Sequence, residues 1–114
     1  MELIYAAVFA FIMTTIMGLY LSWRVLQNKD RPKRVIIIHG FLTMIGFVIL
    51  YTYYPESLAT IFYFAVATCF GLVLLYQDIK GIEFTKWLCY AHAVFTLGGC
   101  IYLIELAAGI CCVV

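Results

Sequence analysis

Four stretches of about twenty apolar residues occupy most of the chain, and about twenty is the length one helix needs to cross the hydrocarbon of a bilayer. They run from about Leu3 to Trp23, Val35 to Tyr54, Leu58 to Tyr76 and Trp87 to Leu106. Hydrocarbon offers no partner to a backbone N–H or C=O, so each stretch is expected to satisfy its own polar groups as a helix. Composition leaves no soluble domain elsewhere. The 114 residues are 67% hydrophobic and 11% charged, whereas soluble domains are nearer half apolar and a quarter charged. The expectation is one all-α membrane domain, residues 1–114. The apolar tail 107–114 either extends the last helix or lies at the interface.

Charge placement predicts the topology. All seven basic residues fall on one side: Arg24, Lys29, Arg31, Lys33 and Arg34 at the first loop, Lys80 and Lys86 at the third. Lys/Arg excess marks cytoplasmic loops, so both termini are expected outward. The first segment has no positive n-region, only Glu2, and reads as a retained helix rather than a signal peptide. Trp23 and Trp87 at the basic side and Tyr51, Tyr53 and Tyr54 at the other fit interfacial belts. The expected location is a bacterial inner membrane, with periplasmic termini. Loops at 25–33, 55–57 and 77–85 are short, so neighbouring helices should be antiparallel, giving an up-down-up-down bundle. Pro55 suits the first position of the third helix and Glu56 its positive end.

The chain also repeats itself at an offset of 53 residues without a gap. The matched pairs are Ala6/Ala59, Phe9/Phe62, Phe11/Phe64, Thr15/Thr68, Gly18/Gly71, Leu19/Leu72, Lys33/Lys86, His39/His92, Thr43/Thr96, Gly46/Gly99 and Leu50/Leu103. Two tandem helical hairpins result, residues 1–53 and 54–114. Each holds an even number of helices, so both insert the same way up, and the expected pseudo-twofold axis lies along the membrane normal. On a helical projection His39, Thr43, Gly46 and Leu50 share one face, as do their counterparts. Faces kept in both copies are expected to line the bundle axis.

The two histidines are the only ones in the chain, and they match each other. An ionisable side chain within a membrane is a functional hypothesis by default. Each follows a lysine by six residues, which puts both rings about 9 Å inside the basic boundary. Gly18 and Gly71 fall at the same depth on the other two helices. Two opposed imidazoles beside two positions without side chains suit one haem with His39 and His92 as axial ligands to the iron. On that reading Gly18 and Gly71 make room for the macrocycle. Thr15 or Thr68, or a backbone carbonyl one turn back, would hold each Nδ1–H. Arg24, Lys33, Arg34 and Lys86 would pair with the propionates. The bland alternatives are a helix–helix hydrogen bond for a histidine and close packing for the glycine and threonine stripes, which is the preferred reading of Gly46, Gly98, Gly99, Thr43 and Thr96.

This arrangement of one His, one Gly and one basic residue per half resembles the four-helix cores of membrane b-type cytochromes. The likeness is to the di-haem quinone- and ascorbate-linked families and to the cytochrome b of respiratory complexes, and it extends over the whole chain as architecture. The resemblance implies non-covalent haem b and exchange of electrons with a quinone or membrane redox partner. In the di-haem families a second ligand follows about four turns later; here those positions hold Thr52 or Tyr53 and Glu105 or Leu106, so one haem per chain is expected. No Cys-x-x-Cys-His motif is present to attach it. Haem storage or trafficking would use the same residues. The size is similar to that of small multidrug resistance transporters, but that resemblance implies a membrane-embedded Glu in the first helix, where only Glu2 stands at the edge. A proton or small-solute channel using His39 and His92 is the nearest version of that class. The remaining expectations are a bilayer environment, a homo-oligomer as one arrangement of the chains, no nucleic-acid partner, and cysteines 69, 89, 100, 111 and 112 as small packing residues. Cys111-Cys112-Val113-Val114 outlines a prenylation box, discounted because the end should face outward.

Overall fold

A computed structural model describes residues 2–112. The four segments are helices: α1 Glu2–Leu26, α2 Lys33–Tyr53, α3 Leu58–Lys80 and α4 Lys86–Cys112. Each is long and apolar enough to cross a membrane, and together they form an elongated bundle measuring 50 × 23 × 21 Å. Large apolar side chains cover its outside, among them Phe9, Ile37, Phe41, Met44, Leu72 and Trp87. A surface of that kind is suited to lipid. The backbone of the carboxy-terminal tail extends α4 as far as Cys112; the Cys-Cys-Val-Val reading lies outside the described side chains.

Most helices run past their apolar stretch, and local chemistry ends them. Asn28, with φ 53°, follows α1; asparagine is one of the few side chains that tolerates the left-handed region. Gly81, with φ 67°, caps α3 and returns its N–H to the carbonyls of Asp78 and Gln77. Between α3 and α4, the Gln77 side chain clamps the turn, donating to Thr85 Oγ1 at 3.1 Å and accepting from the Thr85 N–H at 3.3 Å. Pro55 does not open α3. The chain turns through Pro55 and Glu56, and the helix begins three residues later behind Ser57, whose hydroxyl donates to the Tyr54 carbonyl at 2.6 Å.

Within each hairpin the helices pack closely, α1 on α2 and α3 on α4. Between hairpins α1 lies against α4, and α2 and α3 touch least. Association in lipid relies on close contact and hydrogen bonds, because lipid tails are as apolar as leucine. The buried cluster lies toward the end away from the basic loops and contains Ile4, Ala7, Phe11, Leu50, Phe64, Leu103 and Ala107. At its centre the rings of Phe11 and Phe64 are stacked, 3.9 Å apart and 2° from parallel. Glycine makes this possible. A Cβ on Gly46 would lie 2.6 Å from the Phe11 ring, and one on Gly99 would lie 2.8 Å from the Phe64 ring. Gly98 similarly receives Tyr63. These three glycines serve packing, as the sequence suggests.

Candidate functional site

Above the phenylalanine stack, toward the basic loops, α2 and α4 turn His39 and His92 inward. Their ring centres are 6.2 Å apart, with the planes at 74°. Each ring reaches across to its neighbouring helix. His39 Nδ1 is 2.8 Å from the Thr14 carbonyl of α1, and His92 Nδ1 is 2.6 Å from the Ala67 carbonyl of α3. A carbonyl oxygen only accepts, so both Nδ1 atoms carry the proton and both Nε2 atoms are left with a lone pair. Neither Nε2 makes a hydrogen bond to a described residue.

The glycines explain how the rings get there. Gly18 and Gly71 lie one turn beyond Thr14 and Ala67, and a Cβ on either would stand 3.0 Å from Cε1 of the histidine. Without side chains they let each imidazole lie against the neighbouring helix backbone and find its carbonyl. The space the sequence reading assigned to a macrocycle is thus taken up, at these two positions, by the imidazoles. The partner of Nδ1 is a backbone carbonyl, but it comes from the neighbouring helix rather than from one turn back on the histidine's own. The hydroxyls of Thr43 and Thr96 donate to the carbonyls of His39 and His92 at 2.8 and 2.7 Å, satisfying themselves within their own helices.

The rings border a cavity of about 380 Å³ that reaches from Phe11 and Phe64 up to Arg31, Asp78 and Phe84. Its lining is mostly apolar, and its volume is within the ordinary range for sites that hold an organic ligand. On the α1–α4 side the rings border a second, much smaller space of about 20 Å³. Thr68 lines the first and Thr15 the second. Thr15 donates to the Phe11 carbonyl at 2.7 Å and lies 3.4 Å from Cys100 Sγ; neither threonine hydroxyl bonds a histidine.

The basic residues expected near the site are elsewhere. Arg24 donates from Nε to the Asp30 carbonyl at 2.7 Å, and Lys33, Arg34 and Lys86 are exposed at helix starts. None of the four lines the cavity; Arg31 does. It pairs with Asp78, with Nε 3.1 Å from Oδ1 and Nη2 on the same oxygen, and its guanidinium lies 3.9 Å from the centre of the Phe84 ring. The sequence signal for it was weak: a residue before Pro32 is held extended, which directs nothing by itself. Thr14 was also missed. Its hydroxyl is buried at the cavity wall and has no hydrogen-bond partner among the described residues.

Among the described residues no three His, Cys, Asp or Glu side chains gather as ligands for a bare ion. Comparison with protein families, with characterised proteins and with solved structures gave no match.

Proposed function

We propose that this chain is a mono-haem b-type membrane cytochrome, with His39 and His92 as the axial ligands of one non-covalent haem b near its basic end. The observation that carries this reading is the pair of imidazoles. Both are held by Nδ1 on a carbonyl, and both keep Nε2 free. Such a second partner fixes the tautomer and raises the basicity of a metal-binding histidine. Their spacing also fits. The ring centres are 6.2 Å apart, close enough for both histidines to hold one iron through their free Nε2 atoms. A bare ion would need further side-chain ligands, whereas a macrocycle brings four nitrogens of its own, so two histidines suffice. The mostly apolar cavity beside them suits a macrocycle, and Arg31 is the cation that would meet a propionate.

The haem would supply one-electron chemistry, and the chain would orient and tune it. With both axial positions taken by protein, electron transfer is favoured over oxygen binding, and the electrons would be exchanged with a membrane quinol or a redox protein. The bundle is read as two hairpins related by a pseudo-twofold axis along the membrane normal. In support, the contacts of His39 with Thr14 and Gly18 recur in His92 with Ala67 and Gly71, each displaced by 53 residues. The basic loops are placed in the cytoplasm of a bacterial cell. Titration of the haem-free protein with haemin tests the reading. Saturation near one haem per chain is expected, and either His→Ala change should abolish it or leave a five-coordinate iron. Undiminished binding in the double His→Ala protein would overturn it.

A further inference from the structure

The cavity beside the histidines is partly enclosed. Its floor is the Phe11–Phe64 stack, with Phe47 edge-on to both rings at 6.1 and 6.5 Å. At the basic end Arg31, Asp78 and Phe84 lie over it, and the Gln77–Thr85 clamp ties down the loop behind them. On the α1–α4 side lies only a separate small space of about 20 Å³. The remaining side is the seam between α2 and α3, where the two hairpins touch least.

That seam has the form of a window. Its α2 edge is Ile36, Gly40 and Met44, and its α3 edge includes Thr68, Leu72 and Leu75, all of which line the cavity. Met44 and Leu72 are 66% and 59% exposed, and Gly40 is exposed. A Cβ on Gly40 would meet nothing within 4 Å. From Ile36 to Met44 is eight residues, about 12 Å of helix. In a bilayer this opening faces hydrocarbon rather than water. The Arg31–Asp78 pair joins the first loop to the end of α3 and is the one ion pair tying the two hairpins together among the described residues. It spans the seam at the top of the window.

We infer that the cavity is loaded from the bilayer, sideways between α2 and α3, and that the Arg31–Asp78 pair is the latch that limits how far this window opens. The inference rests on the haem reading, which fixes the occupant as a flat, mostly apolar molecule with two carboxylates. Such a molecule dissolves in the membrane with its carboxylates toward the headgroups. In that orientation it would slide edge-on between the helices, with its acidic edge beside Arg31 and its centre toward the two free Nε2 atoms.

The experiment uses haem-free protein reconstituted in phosphatidylcholine vesicles preloaded with haemin, following the growth of the low-spin absorption band. Gly40→Trp puts a bulky ring at the window, where a Cβ would meet nothing within 4 Å, and should slow uptake at least tenfold, with final stoichiometry near one. Asp78→Asn removes the latch while keeping Arg31 for the carboxylates and should speed uptake at least threefold. If Gly40→Trp and Asp78→Asn both load at the wild-type rate, the window is wrong while the haem reading stands. If wild type takes up no haemin, the haem reading fails and this inference goes with it.

Discussion

At the scale of single residues, the glycines beside the histidines matter more than their lack of chemistry suggests. Gly18 and Gly71 are needed because each imidazole lies against helix backbone, with Cε1 where a methyl group would begin to crowd it. Gly18→Ala should push the His39 ring away by a few tenths of an ångström and weaken its bond to the Thr14 carbonyl. A hydrogen bond of this kind is worth about 0.5–1.5 kcal/mol, so haem affinity is expected to fall by roughly threefold to tenfold. Gly71→Ala should do the same through His92, and Gly40→Ala, which faces open space, should leave affinity unchanged. Equilibrium haemin titration of the three variants checks this; equal affinities would mean that the rings are not positioned by the neighbouring backbone. Which two residues face each other was readable from the sequence, because the chain has two histidines at matching places. That Arg31, rather than Arg24 or Lys33, reaches the cavity was not, because the path of a loop depends on what it packs against, here Asp78 and Phe84.

At the scale of the helices, the interface depends on small residues receiving large ones. Gly46 and Gly99 admit Phe11 and Phe64, and a Cβ at either would lie under 3 Å from a ring carbon. Because each ring is stacked on the other, neither can move aside alone. Gly46→Ala and Gly99→Ala should therefore each cost about 1–3 kcal/mol, read as a lower midpoint for unfolding in detergent. Gly109→Ala, where nothing stands within 4 Å of the Cβ, should be near neutral. The four helices were legible because runs of about twenty apolar residues admit one structure in lipid. Their ends were less so. α3 runs on to Lys80 because Gly81 takes up the left-handed cap, and it begins at Leu58 because the chain uses Pro55 and Glu56 for a turn. Hydropathy carries neither fact, since both depend on which backbone angles a particular residue allows.

For the whole molecule, the bundle pairs a packed half, centred on the phenylalanine stack, with a hollow half around the two histidines. The topology proposed for it puts Lys29 in the cytoplasm and Glu56 outside. Single-cysteine variants at those positions should show Glu56→Cys modified by an impermeant thiol reagent added to intact cells and Lys29→Cys protected; the reverse pattern would invert the orientation. Two imidazoles with ring centres 6.2 Å apart, each held through Nδ1 on a carbonyl of the neighbouring helix, carry the proposal that this half holds a haem. The visible spectrum of the protein purified from membranes, oxidised and then reduced with dithionite, tests that claim most directly. The spectrum expected is that of a six-coordinate low-spin b-type haem near one per chain, lost in the His39→Ala/His92→Ala double variant. A colourless wild-type protein that also takes up no added haemin, or a double variant with an unchanged spectrum, would contradict it.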